Sequence, residues 1–177
     1  NRRYYEDIVQ SFEGPFGVAI MDLDDFKIYN DSCGHQAGDL ALEVTAAVIR
    51  DCIRQTDTLI RYGGDEFLLI LPGCPIEKIR SKLEQIRARV QTTSVPGYPH
   101  IHLSLSIGGI LQTAEDTMET AVHCASRLMY QAKEHKNTVI VASSSAVLSA
   151  PATLLPRQSR QQILIADDSA MNRMLLA

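Results

Sequence analysis

Residues 58–71 read Thr58-Leu59-Ile60-Arg61-Tyr62-Gly63-Gly64-Asp65-Glu66-Phe67-Leu68-Leu69-Ile70-Leu71. Two apolar runs, Thr58 to Tyr62 and Phe67 to Leu71, flank an adjacent glycine pair. That pattern predicts a β-hairpin, because tight hairpin turns need positive φ and glycine adopts it without steric cost. The tip carries Asp65 and Glu66. Upstream, Phe16 to Met21 (FGVAIM) is a short apolar run that ends in Asp22-Leu23-Asp24-Asp25. It reads as a buried strand delivering carboxylates at its C-terminal end.

Outward from these strands the periodicity switches. Asp39 is placed to cap a helix over the run DLALEVTAAVIRDCIR, whose apolar spacing suits packing on a sheet. Pro75 suits a helix start, and Ile76, Ile79, Leu83, Ile86 and Val90 form the stripe of its buried face. Ile101, Leu103, Leu105 and Ile107 alternate with His102, Ser104 and Ser106, the period of a half-buried strand. A further helix is expected over about Thr117 to Glu134, then a strand from Thr138 to Ala142. The order predicts an α+β fold with a ferredoxin-like βαββαβ core, as in nucleotidyl-transfer palm domains. Its central sheet would contain antiparallel pairs, with flanking helices on one face.

Three segments are expected: a domain over residues 1–142, a Ser-, Ala- and Pro-rich linker over 143–162, and the start of another domain over 163–177. Both ends read as cuts through a longer protein. Net charge is −4, which argues against nucleic acid or anionic lipid as a partner. No apolar stretch approaches the roughly 18 residues of a membrane span. Cys33, Cys52, Cys74 and Cys124 contain no C-x-x-C pair, so free thiols in a reducing cytoplasm are expected.

In a ferredoxin-like sheet the strand ending at Asp22 lies beside the hairpin carrying Asp65 and Glu66. Carboxylates crowded there repel one another unless a divalent cation neutralises them. Mg²⁺ prefers one or two carboxylates plus substrate phosphate oxygens. A solvated acidic loop is the plainer alternative. Taken singly, Asn30 reads as a turn residue, Asp39 as a helix cap, and Lys27, Lys133 and Lys136 as surface charges. His100 and His102 lack a third ligand that would make a zinc site.

Taken together, the motifs resemble a known family. Arg61-Tyr62-Gly63-Gly64-Asp65-Glu66-Phe67 contains the signature of the GGDEF-domain diguanylate cyclases. Met21 to Lys27, continuing through Asn30-Asp31, Gly34-His35 and Gly38-Asp39, is similar to that family's second hallmark segment. Asn1-Arg2-Arg3 resembles the end of its opening motif.

The resemblance implies an enzyme that joins two GTP molecules into cyclic di-GMP and releases pyrophosphate. It assigns Mg²⁺ (or Mn²⁺) to Asp22, the Leu23 carbonyl and Asp65, with Glu66 at a second metal or activating the 3′-hydroxyl. Asn30 and Asp39 would read guanine. Lys27, aided by backbone amides near Asp25 and Phe26, would contact phosphate, as would Lys133 and Lys136. Family members usually continue after that first lysine through a glycine to a basic residue and Asn. Here Lys133-Glu134-His135-Lys136-Asn137 is one residue short and lacks the glycine.

Arg54 and Asp57 match the family's R-x-x-D inhibitory site for product, and a second arginine often found there aligns with Gln85. Each domain would hold one GTP, so catalysis implies an antiparallel homodimer. Ile163 to Ser169 resembles the opening of a response-regulator receiver domain, whose acidic pair would be Asp167 and Asp168. The alternative is a non-catalytic module that binds cyclic di-GMP or GTP.

Overall fold

The protein is described here by a computed structural model over residues 16–112 and 117–149. Its elements run β1 (Phe16–Leu23), α1 (Phe26–Cys33), α2 (His35–Cys52), β2 (Thr58–Arg61), β3 (Glu66–Pro72), α3 (Ile76–Thr92), β4 (Ser94–Val95), β5 (Tyr98–His102), β6 (Leu105–Gln112), α4 (Met118–Lys133), β7 (Val139–Ser143) and α5 (Ser144–Ser149). Five strands form one sheet in the order β2-β3-β1-β6-β7, while β4 and β5 form a separate ribbon. β1 runs antiparallel to both β3 and β6, and β7 joins β6 in parallel. This is the expected α+β architecture, a mixed five-stranded sheet with flanking helices.

The helices lie on both faces rather than one. Ala19, Met21, Leu69, Leu71 and Ile107 share a core with Ile49 of α2 and Ile79, Leu83 and Ile86 of α3. Val18, Ile20, Leu68, Ile70 and Ile110 share the other with Ala121, Ala125 and Met129 of α4. The physical reason is visible in β1. Its successive side chains point to opposite faces, yet every one is buried, so both faces need a cover.

Three local expectations are revised. Asp39 does not cap α2, which starts four residues earlier at His35. Gly34 (φ 85°) lets the chain turn directly from α1 into α2, so no exposed cap is needed at Asp39. The single strand expected over Ile101 to Ile107 is broken at Leu103 and Ser104, because β5 pairs with β4 while β6 pairs with β1. The predicted linker is structured at its start, where Ser143 ends β7 and residues 144–149 form α5. Its remainder, the receiver-like segment and the Asn1-Arg2-Arg3 motif lie outside the described residues.

Candidate active site

The β1–β3 register places Asp22 opposite Glu66, and the Leu23 amide donates to the Asp65 carbonyl at 3.2 Å. The end of β1 and the hairpin tip are therefore joined as the sequence predicted. Neither Gly63 nor Gly64 takes a positive φ, however. A Cβ at Gly63 would come within 2.7 Å of Glu66 Oε2, the movable end of that side chain. Arg61 clamps the turn, its Nε and Nη2 donating to the Gly64 carbonyl at 3.3 and 2.8 Å.

Asp22 is 3% exposed and forms an ion pair with Lys133, Nζ to Oδ1, at 2.6 Å. Burial pushes its carboxyl up from 3.8 to about 7; Lys133 opposes the rise, while Asp65 and Glu66 add to it. Burial also raises Glu66, reinforced by Asp65. For Lys133, burial alone would lower the ammonium, but Asp22 and Asp65 outweigh it and the net shift is upward. The cluster thus has more negative charge than one lysine offsets.

A divalent cation fits this charge. Among the described residues, though, no three His, Cys, Asp or Glu groups converge as a ready-made metal site. Mg²⁺ in general needs only one or two protein carboxylates where phosphate oxygens complete its shell.

A pH dependence follows. A carboxyl whose pKa is higher folded than unfolded holds its proton more tightly in the folded state. The stability it contributes is present below its unfolded value, near pH 4, and is lost as pH rises through about 7. We expect the melting temperature in chelator to fall between about pH 5 and about pH 7.5, with Asp22→Asn removing most of that fall. An unchanged slope in the variant would mean that Asp22 is not the titrating group.

The nucleotide-reading candidates lie just beyond. Asn30, in α1, presses its side-chain oxygen against Gly38 of α2, where any Cβ would collide with it. That Oδ1 is buried and has no hydrogen-bond partner within the protein. Asp39 follows Gly38 and is exposed, so both candidates sit where α1 and α2 approach each other. Lys27 is exposed in the first turn of α1. Phe26 is half-buried and stacks on Tyr29, ring centroids 6.4 Å apart.

A family model described as "Diguanylate cyclase, GGDEF domain" matches residues 4–138. The chain belongs to the GGDEF diguanylate cyclase family. This GGDEF domain is 36% identical over 121 residues to diguanylate cyclase DosC of Escherichia coli strain K12, across 67% of this chain and 26% of that protein. Diguanylate cyclase A of Treponema denticola is 31% identical over 130 residues, across 72% of this chain and 35% of that protein. The chain thus spans about a quarter to a third of these relatives. An X-ray structure of an EAL/GGDEF domain protein from M. capsulatus superposes with a TM-score of 0.70 at 33% identity, covering 80% of this chain and 97% of that one. The GGDEF domain of DgcB from Caulobacter crescentus, solved in complex with c-di-GMP, gives a TM-score of 0.72 at 25% identity, covering 82% and 91%.

In this GGDEF domain the segment that lacks the family glycine closes by a different device. Lys136 (φ 52°) and Asn137 (φ 43°) both adopt left-handed backbone, which non-glycine residues hold only when surrounding contacts over-determine them. Those contacts are present. Both oxygens of Asp25 accept from Lys136 Nζ, at 2.8 and 2.7 Å, and Asn137 N donates to Asp24 Oδ2 at 2.8 Å. Arg87 Nη1 of α3 reaches Asn137 Oδ1 at 2.9 Å. Lys136, expected at phosphate, is therefore held by Asp25 here.

Asp24 is the residue that local reading missed. It accepts from Ser104 Oγ and Ser106 Oγ, each at 2.6 Å, as well as from Asn137 N. One carboxylate thereby ties the end of β1 to the start of β6 and to the α4–β7 turn. Its partners lie 80 to 113 residues away in the chain, beyond the reach of any local pattern.

Arg54 and Asp57 form a compact turn away from this cluster, with Arg54 N donating to Asp57 Oδ2 at 2.8 Å. They line a pocket of about 200 Å³ with Cys74, Lys78, Lys82 and Gln85. Lys78 and Lys82 were not anticipated from sequence. They project from α3, one turn apart, and add positive charge beside Gln85.

Proposed function

We propose that this domain condenses two GTP molecules into cyclic di-GMP with release of two pyrophosphates. The observation that carries the reading is the pairing of Asp22 opposite Glu66, with Asp65 beside them at the hairpin tip. Asp22, the Leu23 carbonyl and Asp65 would hold Mg²⁺ or Mn²⁺, with Glu66 at a second ion or accepting the proton of the 3′-hydroxyl. The ion would lower the charge of the triphosphate and favour loss of pyrophosphate.

The residues of the chain have separate tasks. The orphaned Asn30 Oδ1 is available to accept from a guanine amino or ring N–H, and the Asp39 carboxylate can accept a second such bond. Adenine does not offer donors in that arrangement. Lys27 and the amides at the start of α1 would orient phosphate, with Lys133 and Lys136 reaching its terminal groups. The 3′-hydroxyl of each GTP must attack the α-phosphorus of the other, so two copies must face each other as a homodimer.

The test is incubation of concentrated protein with GTP and Mg²⁺, with mass detection of products. Cyclic di-GMP is the expected product, and ATP should yield none. Absence of product even when two copies are joined through a fused dimeriser would favour the alternative, a nucleotide-binding signalling module.

The Arg54–Asp57 pocket would bind cyclic di-GMP as an inhibitor. Arginine offers a bidentate fork to a guanine edge or phosphate, and Lys78 and Lys82 offer further positive charge. Arg54→Ala should raise the product concentration needed for half-inhibition at least tenfold, with initial rates little altered. Unchanged inhibition in that variant would remove the pocket from the regulatory reading.

A further inference from the structure

Asp22, the most buried of the candidate ligating carboxylates, already has a cationic partner. Lys133 Nζ lies 2.6 Å from its Oδ1, and that ammonium comes from α4 on the opposite face of the sheet from α2 and α3. Lys136, the second lysine assigned to phosphate, is likewise held by both oxygens of Asp25. Two lysines expected at the triphosphate are thus engaged by acidic residues at the β1–α1 junction. In addition, no three ligating side chains among the described residues form a metal site unaided.

We propose that Lys133 is a resident counter-ion that keeps a divalent cation off Asp22 until a nucleoside triphosphate arrives. The inference rests on the cyclase reading of the site and adds an order of binding to it. An ammonium within hydrogen-bond distance of a buried carboxylate oxygen and a divalent cation on that same oxygen compete, since they repel each other in a partly desolvated site. Binding of a cation at Oδ1 of Asp22 therefore favours displacement of Lys133.

Alone, that departure strands an ammonium in a half-buried position. With a triphosphate present, Lys133 exchanges one anionic partner for another, and the vacated carboxylate joins phosphate oxygens in the cation's shell. Cation and nucleotide then strengthen each other's binding by the same factor, as linkage requires. The cluster is protected from free divalent cations in the absence of substrate, and metal enters as the nucleotide complex.

The experiment measures Mn²⁺ binding to the nucleotide-free protein by loss of the free-ion electron paramagnetic resonance signal. Wild type, Lys133→Met, Lys133→Gln and the double variant Lys133→Met/Asp22→Asn are compared. Both single variants should bind Mn²⁺ at least tenfold more tightly than wild type, and the double variant should lose that gain. Lys133→Gln removes the charge but keeps a polar side chain beside Asp22, which guards against a fold defect specific to methionine.

Equal or weaker binding in both single variants overturns the proposal. A parallel melting series with wild type and a non-hydrolysable α,β-methylene GTP analogue separates the two readings. If Mn²⁺ adds to stabilisation by the analogue while the lysine variants show no gain, the order of binding is wrong and the metal site stands. If Mn²⁺ adds nothing there either, the metal reading falls as well.

Discussion

Asp65→Asn should lower cyclic di-GMP synthesis by at least about 100-fold while leaving the fold as stable as before or slightly more so. The two effects have opposite signs for one reason. Asp65 stands at the hairpin tip, where its charge helps push the Asp22 carboxyl up to about 7 and also raises Glu66. Neutralising it relieves that repulsion among the carboxylates and removes a charge that a Mg²⁺–triphosphate complex would need. Activity by mass detection and melting temperature in chelator should therefore move apart. Activity above a tenth of wild type would take Asp65 out of the metal site. Lost activity accompanied by a collapsed melting temperature would instead indicate a structural role.

The second large effect is on stability. Gly108 lies in β6 where α4 crosses it, and a Cβ there would fall on the Ala125 carbonyl oxygen and the Met129 nitrogen. Both are backbone atoms of a helix, so no side-chain rotation can relieve the overlap. Gly108→Ala should cost about 3 kcal/mol or more, because α4 must lift from the sheet as a unit. Lys133 is on the same helix, so any folded fraction should also have a displaced Lys133–Asp22 pair. Gly64→Ala is the control. A Cβ at Gly64 meets nothing within 4 Å and the residue lacks a positive φ, so its cost should stay below about 0.5 kcal/mol. Urea unfolding of the two variants tests the contrast, and equal midpoints would mean that α4 does not pack on Gly108 as described.

What the amino-acid sequence determined by itself was whatever depends on neighbours along the chain. The apolar run into Asp22, the β2–β3 hairpin bearing Asp65 and Glu66, and the Ile79–Leu83–Ile86–Val90 stripe were all legible, because strand and helix periods are local properties. The pairing of Asp22 with the hairpin also followed, since a ferredoxin-like order puts those strands side by side. Tertiary structure alone decided the rest. Burial of alternate residues on both sides of β1 required helices on both faces. The break at Leu103 and Ser104 arose because β5 pairs with β4 while β6 pairs with β1, which lies far away in sequence. Gly63 and Gly64 make their turn without positive φ, which a turn rule based on φ cannot foresee. The engagement of Lys133 by Asp22 and of Lys136 by Asp25 is likewise a matter of charges brought together across more than 100 residues. A lysine's sequence neighbours state its charge, but only the folded chain chooses which carboxylate satisfies it.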